Sequence, residues 1–209
     1  METEVHFTSS GCRLEGRLHE GNSQAVIITH PHSLYGGNMH NPVVETITEV
    51  FQQQGYTTLR FNFRGVEGSQ GRYDEGRGEQ EDVRQAVVYL QQRGLGPIEL
   101  SGYSFGTWVN AQCAVGKLSE INMTMVSPPT AFMDFRMIQH LPGLTLAITG
   151  SRDDIAPPDM LRRMLPLWNP GARLEVLPGA DHFFIDHLES LAAVLHNALA
   201  HSRTPATNE

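Results

Sequence analysis

The chain has 209 residues and a net charge of −8, and its 20 glycines and 12 prolines are too few for a low-complexity or fibrous protein. The acidic balance argues against nucleic acid and anionic membrane surfaces as partners, since neither gains from a negative protein. No run approaches the ~18 apolar residues that span a bilayer. The first residues, Met1-Glu2-Thr3-Glu4-Val5-His6, lack the apolar centre of a secretory signal, and Cys12 and Cys113 make no disulfide framework. A cytoplasmic location is expected.

Two short segments at 4–9 and 13–19, split by Ser10-Gly11, read as an antiparallel hairpin. The continuous apolar run Ala25-Val26-Ile27-Ile28 suits a strand covered on both faces. Val43, Val44, Ile47, Val50 and Phe51 recur at helical spacing up to Gly55. A strand follows over 56–63 and a helix over 79–93, its first turn rich in acids that suit the dipole. Strands at 98–103, 121–126, 144–150 and 173–177 then alternate with helices at 105–117, 158–167 and 184–201. Residues 1–201 are thus expected to form one domain, with a loose polar tail at 202–209. Alternating strands and helices imply a parallel, doubly wound sheet, whose ligands bind beyond the carboxyl ends of the strands.

Chemistry-bearing residues fall on that rim. His30-Pro31-His32, Arg64-Gly65, Ser104, Asp153 and His182 each follow a strand. Gly102-Tyr103-Ser104-Phe105-Gly106 matches Gly-x-Ser-x-Gly between a strand and a helix. A sharp turn there lifts the Ser104 hydroxyl out of the sheet, and glycines on either side admit the close approach. A Gly-rich turn with a solvated serine is the plainer alternative. An unassisted serine is a poor nucleophile and needs a base. His182, in the loop after the last strand, is the best placed of ten histidines; His187 and His196 fall within the last helix. A carboxylate must fix the base's tautomer. Asp153 is assigned that role, with the adjacent Asp154 as its alternative.

The Phe105 N–H, at the start of a helix, is a natural oxyanion donor. Pro31 has no N–H, so His32 N–H is expected to be the second. His30 reads as an imidazole packed under its loop. No metal is expected, because His30, His32 and His40 lack a recognised ligand spacing. The glycines of 64–71 fit no nucleotide-binding pattern. Asp74, Glu75, Glu79, Glu81 and Asp82 read as a solvated acidic face. Phe105, Trp108, Phe183 and Phe184 read as core, with one or two free to line a pocket.

The chain resembles the α/β-hydrolase superfamily, and most of all the small lidless serine hydrolases grouped near dienelactone hydrolases. The carrying strings are His30-Pro31-His32-Ser33-Leu34-Tyr35-Gly36-Gly37-Asn38-Met39, Arg60-Phe61-Asn62-Phe63-Arg64-Gly65-Val66, Gly78-Glu79-Gln80-Glu81-Asp82, Gly102-Tyr103-Ser104-Phe105-Gly106 and Pro178-Gly179-Ala180-Asp181-His182-Phe183-Phe184. The resemblance implies a mostly parallel, twisted eight-stranded sheet with its second strand antiparallel and helices on both faces. It implies Ser104, Asp153 and His182 as the triad, and it puts His32 and Phe105 at the oxyanion positions. Two departures stand out. Dienelactone hydrolases proper carry a cysteine nucleophile, and the usual His-Gly after the third strand is His30-Pro31 here.

Only 17 residues, 127–143, separate the sixth strand from the seventh, room for a short helix but not for a cap domain. A shallow, wet site is expected, suited to small or extended acyl groups, with Tyr35, Met39 and Phe183 as pocket residues. The function implied is a serine esterase that needs no cofactor and acts on a small-molecule acyl substrate; thioester or lactone cleavage would use the same triad. A non-catalytic binding protein on this scaffold is the rival from another class. An exposed sheet edge leaves room for a homodimer.

Overall fold

A computed structural model describes residues 1–115, 118 and 121–201. The tail at 202–209, and residues 116 and 117 at the expected end of the third helix, lie outside the described residues. The chain opens with a hairpin of β1 (Thr3–Ser9) and β2 (Cys12–His19), closed by Ser10 and Gly11 at φ 48° and 81°. Two successive positive φ angles twist a two-residue turn to match its strands. The other strands are β3 (Ala25–Thr29), β4 (Thr57–Phe61), β5 (Ile98–Tyr103), β6 (Met123–Val126), β7 (Leu144–Gly150) and β8 (Arg173–Leu177). They form one sheet in the order β1-β2-β4-β3-β5-β6-β7-β8. β2 is antiparallel to both neighbours, and from β4 onward every pairing is parallel.

Every residue of β3, β4 and β6 is buried, as expected of strands covered on both faces. Successive side chains point to opposite faces, so Ile27 joins one core and Val26 and Ile28 the other. The core of Val26 and Ile28 is covered by α1 (Pro42–Gln53) and α5 (Leu188–His201). The core of Ile27 is covered by α2 (Arg77–Gln91), α3 (Phe105–Ala114) and α4 (Pro158–Trp168). α1 starts cleanly because Asn41 Oδ1 accepts the Val43 N–H and Pro42, at the first helical position, needs no partner. Among the described residues no helix is long and apolar enough to cross a membrane.

Two expectations need correction, and the segment with room for a short helix forms none. The last helix starts at Leu188, not at 184, because Phe184 and Asp186 adopt φ of 53° and 58° and cannot continue a right-handed helix. His187 therefore lies just outside α5, and its carbonyl accepts the Leu191 N–H. Residues 127–143 contain turns and no helix. Pro128 and Pro129 lack donors there, and Phe135, Ile138 and Leu141 pin the segment to the core instead. Finally, the acidic stretch is not all solvated. Glu79 is buried and accepts the N–H groups of Asp74 and Gly76, which starts α2. Asp82 is buried against Arg64.

Candidate active site

The sheet delivers its loops to one rim, and β5 supplies the sharpest turn. Ser104 stands between β5 and α3 at φ 53° and ψ −121°, a conformation that L-residues rarely hold. Its N–H donates to Val126 O at 2.9 Å, which anchors the turn to the neighbouring strand. The flanking glycines are a steric requirement. A Cβ on Gly106 would stand 2.5–2.8 Å from Thr29, and one on Gly102 would stand 2.7 Å from Thr29 Oγ1 and 2.8 Å from α3 backbone.

His182 arrives from the loop after β8 and is almost fully buried. Its Nε2 lies 3.0 Å from Ser104 Oγ, and its Nδ1 lies 3.0 and 2.9 Å from the two oxygens of Asp153. With the carboxylate fixing Nδ1 as the protonated nitrogen, Nε2 is left to accept from the serine hydroxyl. Tyr103 O–H donates to the His182 carbonyl at 2.9 Å, so the turn that carries Ser104 also holds the histidine's backbone.

Asp153 comes from the loop after β7. Its Oδ1 accepts the N–H groups of Ile155 and Ala156 at 2.9 and 2.7 Å. The Thr149 hydroxyl, which donates to Ala156 O, lies 3.3 Å from Oδ2. Burial alone would raise the Asp153 pKa, but hydrogen bonds from His182 and the Ala156 N–H outweigh it and hold the carboxyl below its usual range. Asp154, the alternative, is exposed.

The loop after β3 closes the other side. His30 is fully buried, with Nδ1 2.6 Å from Pro31 O and Nε2 accepting the Phe63 N–H at 3.0 Å. Both nitrogens are committed to backbone, and burial lowers its pKa to about 4. No lone pair is left for a metal. His32 Nδ1 accepts the Leu34 N–H at 3.2 Å and so caps the 3₁₀ turn Ser33–Tyr35. Its Nε2 lies 3.3 Å from Tyr73 Oη, and its ring packs on Phe105 at 4.6 Å between centroids. Phe105 opens α3, where N–H groups have no intrahelical acceptor.

These loops enclose a cavity of about 520 Å³, lined by Ser104 and His182 at its chemical end and by Tyr35, Phe132, Met133 and Phe183 among others.

The fold has close counterparts in solved structures. An α/β serine hydrolase homologue from Coxiella burnetii is 31% identical, covers 94% of this chain and 97% of its own, and superposes with a TM-score of 0.86. A member of the α/β serine hydrolases without a lid, from Xanthomonas campestris, is 29% identical over 99% of this chain and 97% of its own, with a TM-score of 0.88. An uncharacterised protein of Rickettsia prowazekii is 32% identical over 94% of this chain and 88% of its own. No family model matches the chain. The protein belongs to the α/β-hydrolase superfamily.

Within that superfamily it is a lidless hydrolase, with only turns over 127–143 where a cap would stand. Of the pocket residues expected from sequence, Tyr35 and Phe183 line the hydrolase's cavity and Met39 does not. Met39 is buried beneath the loop because its N–H donates to Asn62 Oδ1 and its carbonyl accepts from Arg60. The cavity is also more apolar than the expected shallow, wet site. Phe132, Met133 and Ile155 complete its wall and were not foreseen, since their segments lack periodicity and only the fold brings them to the rim. Tyr103 was missed as a support for His182, although it stands inside the Gly-x-Ser-x-Gly string.

Proposed function

We propose that this hydrolase cleaves carboxylic esters through an acyl-enzyme on Ser104. The observation that carries the reading is the unbroken line from Ser104 Oγ to His182 Nε2 at 3.0 Å and from His182 Nδ1 to Asp153 at 2.9 Å, opening on an apolar cavity. Ser104 Oγ attacks the ester carbonyl while its proton passes to His182 Nε2. Asp153, kept ionised by its donors, stabilises the imidazolium. The N–H groups of Phe105 and His32 hold the oxyanion; losing one such donor typically costs ~10²–10³ in turnover. The C–O bond then breaks as His182 returns the proton to the leaving alcohol. Water repeats the sequence on the acyl-enzyme and releases the acid.

Treatment with a fluorophosphonate followed by intact mass tests this directly. The wild type is expected to gain one adduct, and Ser104→Ala none, with ester turnover lost in the variant. Folded wild type without an adduct, or a Ser104→Ala variant with wild-type turnover, overturns the reading.

A further inference from the structure

The cavity wall carries a second message, about what is cleaved. No Lys, Arg, Asp or Glu lines it among the described residues. His32 has both ring nitrogens occupied by Leu34 N–H and Tyr73 Oη, so it is not free to pair with an anion. A substrate whose acyl part bears a second carboxylate would lose hydration there and find no counter-charge.

The mouth is as unusual as the wall. Of the ten large apolar side chains exposed among the described residues, six belong to the three segments around it: Leu34 and Tyr35 after β3, Phe132 and Met137 after β6, and Phe183 and Ile185 after β8. Three of them are rings that also line the cavity. Tyr35 is 74% exposed, Phe132 60% and Phe183 62%. The Tyr35 and Phe132 rings stand 6.1 Å apart at 71°, and Phe183 stands edge-on to His182 at 5.6 Å and 89°. Phe105, next to Ser104, is almost fully buried and also borders the cavity. Tyr35 and Phe132, held on separate segments and steeply inclined to each other, present both a face and an edge to whatever enters, with Phe183 on a third segment. A flat ring can meet them face-on and edge-on together, whereas an alkyl chain gains only from the area it buries.

From this arrangement we infer that the site is selective for uncharged arylalkanoyl esters, with the acyl ring held among Tyr35, Phe132 and Phe183. The inference rests on Ser104 as the nucleophile and adds the acyl group. Ring pairing is worth several-fold to about tenfold per pair.

The test keeps the alcohol constant by using methyl esters. Methyl 3-phenylpropanoate, methyl hexanoate, methyl acetate and monomethyl glutarate are compared by kcat/KM in a pH-stat, alongside fluorophosphonate labelling. The phenylpropanoate is expected to exceed the hexanoate by about tenfold, and the glutarate to fall at least tenfold below the hexanoate. In Phe132→Leu and Tyr35→Leu, which keep apolar bulk at exposed positions, the phenylpropanoate-to-hexanoate ratio is expected to fall toward one. A labelled, ester-cleaving wild type that prefers hexanoate, that accepts glutarate equally, or whose ratio survives both substitutions overturns the acyl assignment and leaves Ser104 standing. Absence of both label and turnover overturns the two together.

Discussion

Asp82 and Asp153 are both buried near the rim of the sheet, and they face different partners. Asp82, on α2, receives the Arg64 guanidinium at 2.7 Å and the Arg64 N–H at 3.1 Å. Asp153, after β7, receives His182 Nδ1 at 2.9 Å and two backbone N–H groups. Burial and hydrogen bonding are matched. The partners differ. The hydrogen bond that Arg64 donates to Asp82 raises the Arg64 pKa further, so the guanidinium never gives up a proton and its pair can only fasten α2 to the loop after β4. An imidazole can take a proton and return it, and the far nitrogen of His182 faces a hydroxyl. A buried ion pair therefore becomes chemistry only through a partner that titrates and a third group for it to serve.

The sharpest way to separate the two is the same substitution at each. Asp153→Asn preserves shape and keeps an acceptor for Ile155 and Ala156, but it no longer fixes the His182 tautomer. Ester turnover is expected to fall about 10⁴-fold, with the melting temperature little changed. A loss below tenfold, measured in steady state on folded protein, would remove Asp153 from the relay. Asp82→Asn is expected to do the reverse. It removes the main carboxylate partner of Arg64, whose side chain is largely buried, and this costs on the order of 3 kcal/mol of stability. Fluorophosphonate labelling of the folded fraction should keep its wild-type rate. Urea unfolding together with labelling kinetics checks both, and a slowed label at full stability would tie Asp82 to the site.

The sequence is least informative where this contrast lies. The strand and helix order was legible because buried parallel strands are apolar throughout and the helices alternate with them. Ser104 and His182 were legible because each follows such a strand, and Gly102 and Gly106 mark the close approach to Thr29. Glu79 and Asp82 looked like a solvated face, since charge along a chain does not reveal that Arg64, 18 residues earlier, folds back to meet Asp82. Phe184 and Asp186 looked helical because their left-handed backbone leaves no mark in composition. The cavity wall was hidden for the same reason as the Asp82 pair. Phe132 and Met133 meet Ile155 only when the loops after β6 and β7 converge.

His30 completes the comparison as a buried histidine with no carboxylate partner. Without one, burial dominates and holds its pKa at about 4, so the ring is neutral and serves as a backbone clip between Pro31 and Phe63. The unfolded chain binds a proton at His30 below pH ~6.5 while the folded protein resists until about pH 4, so acid favours unfolding across that interval. Above pH 6.5 the group contributes no pH dependence. Full development of the shift is worth ~3 kcal/mol. His30→Leu removes this titration but orphans the Phe63 N–H and the Pro31 carbonyl, a cost of ~2 kcal/mol at pH 8. The variant is therefore expected to be less stable than wild type at pH 8, to draw level near pH 5, and to be the more stable protein near pH 4. Other acid-sensitive groups, Asp153 included, are common to both proteins and cancel in the difference. Urea unfolding of the pair at pH 8, 6, 5 and 4 reads the crossing. A deficit that stays constant over that range would mean that His30 titrates normally and that its burial is not what sets its charge.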